Sequence, residues 1–151
     1  MITTAPGKNR KILVIDDDPI TLKFLKSILS SQGYRVSVAQ DGPEAIFCAH
    51  LQRPDLILTD IFFPTNALQS SLLWDGFLIV SWLNTLGKAN EIPIIIISAE
   101  TANNYQNLSA ALGARAFLPK PLDTKKMLAT VRAALTVRRD CHQVSRSLRA
   151  G

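Results

Sequence analysis

The chain has 151 residues, 47% of them hydrophobic, and a formal net charge of +5. That length fits one domain of ordinary size, and so apolar a composition excludes a disordered chain. No apolar run approaches the roughly 20 residues of a membrane span. The opening MITTAPGKNR lacks the apolar stretch of a signal peptide, so the chain reads as cytoplasmic.

Residues 1–10 read as a short tail carrying Lys8 and Arg10. Residues 11–15 (KILVI) form a strand-length apolar run that ends in Asp16, Asp17 and Asp18. Asp18 is placed to cap a helix starting near Pro19. Ile20, Phe24, Ile28 and Leu29 predict that helix's buried stripe, and Gly33 closes it. Residues 35–39 (RVSVA) predict a second strand. Asp41-Gly42-Pro43 then turns into a second helix with the stripe Ala45, Ile46, Ala49 and Leu51. Cys48 falls within that pattern and is expected in the core.

Residues 55–59 (DLILT) predict a third strand ending on Asp60. The stretch TNALQSSLLWD between Pro64 and Gly76 is long for a connection that usually takes about two to six residues. Phe77, Val80, Leu83 and Leu86 mark a third helix. Residues 93–97 (PIIII) predict a fourth strand ending on Ser98, and residues 102–112 a polar-faced fourth helix stopped by Gly113. Residues 115–118 (RAFL) run into Pro119-Lys120-Pro121. Asp123 is a good cap for a fifth helix carrying Met127, Leu128, Val131 and Leu135.

Residues 11–137 hold eleven basic and eleven acidic side chains, so the excess charge lies in the two ends. Residues 138–151 form a basic tail, with Arg138, Arg139, Arg146 and Arg149 set against Asp140. Such a tail reads as a solvated end or the stub of a linker, and it lacks any helix-turn-helix pattern for DNA. Cys48 and Cys141 are expected to be reduced, and Cys141 beside His142 lacks the further ligands a metal needs.

Strand and helix alternate five times, which predicts a doubly wound α/β fold with a parallel sheet covered on both faces. In such a sheet the ligand site lies beyond the C-terminal ends of the strands. Those ends supply Asp16, Asp17, Asp18, Asp60, Ser98 and Lys120. Carboxylates gathered at one edge repel and raise one another's pKa, a conflict that a hard cation such as magnesium resolves. A lysine as point charge and a hydroxyl as hydrogen-bond donor complete a site for a phosphoryl group.

The segments ILVIDDD at 12–18, LILTDIFFP at 56–64, DG at 75–76, IIIISAE at 94–100 and FLPKP at 117–121, in that order, resemble the receiver domains of two-component response regulators. The resemblance runs through nearly the whole of residues 11–137. It implies a flavodoxin-like sheet of five parallel strands in the order 2-1-3-4-5, with five helices. It implies that Asp60 is the phospho-acceptor. Asp16, Asp17, Asp60 and the backbone carbonyl of Phe62 would hold Mg2+. Lys120 would be the phosphate-binding lysine, and Ser98 and Phe117 the switch pair. It further implies a cis Lys120–Pro121 bond and a sensor histidine kinase or histidine phosphotransfer protein as donor. The chain would modify itself rather than act as an enzyme on a free substrate, and its output would be a contact with another protein. It departs from the family pattern in the long loop at 65–75, in Phe63, and in Leu118-Pro119 ahead of Lys120.

Two other readings compete. Asp16-Asp17-Asp18 after a strand also fits a haloacid-dehalogenase-like phosphatase with Asp16 as nucleophile, although no later acidic pair follows a strand. A receiver-like interaction module that never becomes phosphorylated would need none of the intact acceptor, acidic pair, hydroxyl and lysine.

Overall fold

The computed structural model describes residues 9–60, 92–98 and 114–149, with side chains up to residue 136 except that of Ser98. Five strands form one parallel sheet: β1 (Lys11–Ile15), β2 (Arg35–Ala39), β3 (Leu56–Asp60), β4 (Ile94–Ser98) and β5 (Ala116–Pro119). Their order is β2-β1-β3-β4-β5, as the resemblance implies. Three strands lie one residue further along the chain than the apolar runs predict. The register pairs Asp60 with Ile97 and Ser98 with Pro119, so the strand ends are level at one edge.

Three helices are described: α1 (Pro19–Ser31), α2 (Gly42–Gln52) and α3 (Thr124–Arg149), the last being the fifth helical segment of the sequence. Each starts on an aspartate. Asp18 accepts the Ile20 N–H at 3.0 Å and Asp41 the Glu44 N–H at 2.8 Å. Asp123 accepts from Lys125 and Lys126 at 3.0 and 3.2 Å. These bonds satisfy N–H groups that the first helical turn leaves without partners. Beyond α1, Gly33 takes φ 92°, a left-handed value that glycine adopts without steric cost.

Alternate residues of the strands point to opposite faces and build two cores. Ile12, Val14, Leu56 and Leu58 pack with Leu22, Leu25 and Leu29 of α1 and with Met127, Val131 and Leu135 of α3. Leu13, Ile15, Ile57 and Ile96 pack with Ala45 of α2. Each fully buried Ile or Leu contributes about 1.5–3 kcal/mol, which makes these central strands the rigid base of the site.

Two predicted stripes are corrected. In α1 Leu29 is buried as expected, but Ile20 is 77% exposed and Phe24 49%, and the helix buries Leu22 and Leu25 in their place, on nearly the opposite side from Ile20. In α2 Ala45 is buried, whereas Leu51 is 65% exposed. α1 is apolar on more than one face, so spacing alone admitted both stripes, and packing on β1 selects one. Cys48 is half-buried rather than fully enclosed.

α3 also runs on to Arg149, across residue 137, where the composition marks the start of a tail. Arg10 donates to the Leu135 carbonyl at 3.3 Å and ties the N-terminal end to this helix. Among the described residues, no helix is long and apolar enough to cross a membrane. The predicted third and fourth helices and the long loop lie outside the described residues.

Candidate functional site

Asp16 and Asp17 follow β1, Asp60 ends β3, and Lys120 follows β5. The central strands β1 and β3 are direct neighbours, which carries Asp16 beside Asp60. Oxygens of Asp16, Asp17 and Asp60 lie within 4.8 Å of one another. Asp16 and Asp60 are only 2% and 5% exposed, and Asp17 is half-buried.

Buried carboxylates need partners to offset their lost hydration. Lys120 Nζ donates to Asp60 Oδ2 at 2.7 Å and to Asp16 Oδ2 at 3.1 Å. The other oxygen of Asp16 accepts the Asp18 N–H at 2.9 Å. Among the described residues, no buried side-chain polar atom lacks a partner. The Lys120–Pro121 bond is cis, as expected.

One ammonium faces three carboxylates. Burial raises the Asp17 carboxyl most, and the hydrogen bond and charge of Asp16 add to it, with a smaller push from Asp60, to reach about 6. Burial acts to lower the Lys120 ammonium, but its hydrogen bonds and attraction to Asp60 and Asp16 outweigh that and hold it above its ordinary value. Excess negative charge in a half-dry pocket of oxygen donors matches what a hard divalent cation selects. Asp18 points away from the cluster as a cap, bonded to Thr21 Oγ1 at 2.7 Å, and that bond is the main reason its carboxyl is held below the usual range.

Asp16, Asp17, Asp60 and Lys120, expected together from the sequence, are therefore brought together. Ser98 ends β4 opposite Pro119, one residue beyond the partner of Asp60, while its side chain lies outside the described residues. Phe117 is half-buried against the α2-side core rather than in the carboxylate cluster. Phe62 lies outside the described residues. Sequence reasoning missed the direct contact of Lys120 with Asp16, which spacing could not reveal because 104 residues separate them.

Comparisons with known proteins agree with this geometry. The family model described as response regulator receiver domain matches residues 12–132. The chain is 33% identical to "Response regulator MprA" of Mycolicibacterium vanbaalenii over 83% of its own length and 50% of that protein's. It is 29% identical to "Protein PilH" of Pseudomonas aeruginosa, covering 83% of this chain and 97% of that one. Its fold is similar to that of the Vibrio cholerae chemotaxis protein CheY4, with a TM-score of 0.74 and 27% identity over 83% of this chain and 98% of that one. The chain thus spans about half the length of the mycobacterial relatives it matches and nearly all of PilH.

Proposed function

The chain belongs to the response regulator receiver domain family, and from that premise we propose that Asp60 accepts a phosphoryl group from a histidine kinase or a histidine phosphotransfer protein. The observation that carries this reading is the Lys120 ammonium 2.7 Å from a buried Asp60 carboxylate, with Asp16 and Asp17 closing the site.

In this reading a carboxylate oxygen of Asp60 attacks phosphorus. The new P–O bond forms as the P–N bond to the donor imidazole breaks, its electron pair returning to the ring. Lys120 is close enough to follow the charge as it spreads onto the phosphoryl oxygens, so it serves ground state and product without a large movement. Asp16, Asp17, Asp60 and the backbone carbonyl of Phe62 would hold magnesium, which supplies further charge stabilisation when bound. The acyl phosphate formed is hydrolysable, so the mark is temporary. The chain acts on itself and not on a free substrate. We take residues 11–137 as the receiver, Ser98 and Phe117 as its switch pair, and a contact with another protein as its output. The same reading implies a cytoplasmic location.

Incubation with acetyl phosphate and Mg2+, followed by intact-mass measurement, tests the proposal. One phosphoryl group is expected, absent without a divalent cation and absent in Asp60→Asn. A gain that survives Asp60→Asn but is abolished by Asp16→Asn would point instead to the phosphatase chemistry with Asp16 as nucleophile.

A further inference from the structure

At the opposite end of the sheet from Asp60, a cleft of about 320 Å³ is lined by Lys11, Arg35, Val36, Ser37 and Gln52. Lys11 and Arg35 open β1 and β2 and are direct partners in the parallel register. Like charges directly opposite one another, on strands about 4.8 Å apart, destabilise a sheet. One cation on the edge strand β2 would guard it against pairing with another chain. A second cation facing it adds nothing to that guard and adds repulsion.

The remaining donors converge on the same place. Ser37 lies two residues beyond Arg35, on the same face of β2. Arg35 N–H bonds the Arg10 carbonyl, and the Ala39 carbonyl accepts from Asp16 N–H. Odd-numbered residues of β2 thus bond toward β1, which turns the Val36 peptide to the open edge beside the cleft. Lys11 Nζ spends one hydrogen on the Gln52 carbonyl at 3.2 Å and keeps two. Among the described residues, the side chains of Arg35 and Ser37 make no hydrogen bond or ion pair. Among the described residues, the carboxylate level with Lys11 is Asp55, on the far side of it, where its Oδ2 already accepts the Lys11 N–H at 2.9 Å.

We propose that this cleft binds a phosphate group borne by a small molecule, held by the Arg35 guanidinium, the Lys11 ammonium and the Ser37 hydroxyl. A guanidinium fork and an ammonium together match a phosphate dianion, and its charge removes the repulsion between them. The volume falls in the range of small-molecule sites, leaving room beside Val36 and Gln52 for an organic body. The cleft lies roughly 17 Å from Asp16, taking five residues of β1 at about 3.3 Å each, so it is distinct from the carboxylate site.

The test is an amide NMR titration of the intact chain without divalent cation, with inorganic phosphate in one arm and adenosine 5′-monophosphate in the other, at matched ionic strength. Saturable shifts of the Arg35, Val36 and Ser37 amides are expected in at least one arm. Tighter binding of the nucleotide than of inorganic phosphate is expected, and nucleotide binding no tighter than that of the free anion would overturn the small-molecule reading. Arg35→Gln and Lys11→Gln should each weaken binding at least about tenfold, as loss of a charge-assisted hydrogen bond does. The proposal is overturned if neither probe gives saturable shifts there, or if folded Arg35→Gln and Lys11→Gln chains bind as the wild type does.

Discussion

Lys120 and Asp60 stand 60 residues apart in the chain and 2.7 Å apart in the fold, with the same ammonium reaching Asp16 at 3.1 Å. One side chain therefore pairs with two buried carboxylates at the ends of neighbouring strands and offsets part of their charge. It does so at the point where a phosphoryl group would arrive, so the contact that stabilises the resting site is also the one that would receive the product.

Replacing Lys120 by alanine leaves Asp16 and Asp60 buried without their cation. Breaking a fully buried pair costs roughly 3–5 kcal/mol. The Lys120 side chain is 25% exposed, so screening should reduce the loss to about 1–3 kcal/mol. Urea denaturation in EDTA measures it, and added Mg2+ should recover part of it. A variant as stable as the wild type in EDTA would show that the contact does not stabilise the fold.

Asp17 contributes a pH dependence to the metal-free protein. Its carboxyl is raised from 3.8 to about 6, first by burial and then by Asp16. A folded pKa above the unfolded one means that the native chain holds the proton more tightly. Stability from this group therefore falls as pH rises from 3.8 to about 6 and stays lower above that window. Thermal unfolding in EDTA should show this fall in the wild type and a shallower one in Asp17→Asn. The variant should be the more stable of the two at neutral pH and should bind Mg2+ more weakly. A wild type that gains stability over that window relative to Asp17→Asn would reverse the sign and refute the assignment.

The two faces of α1 give a packing test. Leu25 is 1% exposed and packs on the sheet, whereas Phe24 is 49% exposed. Leu25→Ala should cost about 2–5 kcal/mol and Phe24→Ala less than about 1 kcal/mol. Comparable losses in equilibrium denaturation would place Phe24, not Leu25, in the core.

The same helix marks where the sequence stopped being legible. Strands were readable because short continuous apolar runs such as residues 94–97, alternating with helical segments, fit strands buried on both faces of a parallel sheet. The site was readable because those runs end on Asp16, Asp60 and Lys120, and strand ends share an edge. The caps Asp18 and Asp123 were readable because they act locally, within three residues, and the turn at Asp41 proved to hold a third. The buried face of α1 was not, because Ile20 and Phe24 obey helical spacing as well as Leu22 and Leu25 do, and only contact with β1 separates them. Nor was the length of α3. Composition marks the charge change at Arg138, but nothing there breaks a helix, and the backbone continues to Arg149.

The last prediction concerns how a phosphoryl group on Asp60 would be read out. Asp60 is level with Ile97, and Ser98 is the next residue of β4, level with Pro119 just before Lys120. Ser98 is thus on the strand between those that carry Asp60 and lead to Lys120, while Phe117 lies two residues earlier than Pro119 on β5, level with Ile96. Phosphorylation adds charge and acceptor oxygens at this edge. If Ser98 moves to donate to them, the change passes along β4 and β5 to the half-buried Phe117 ring. A ligand shifts a conformational equilibrium only through its different affinity for the two states, and Ser98 would supply that difference. Ser98→Ala should therefore still gain a phosphoryl group on Asp60 but lose most of the response at Phe117. Beryllofluoride as a phosphoryl mimic, with ring and amide NMR signals followed at Phe117 and along α3, measures it. Equal responses in wild type and Ser98→Ala would mean that the signal leaves the site by a route other than β4.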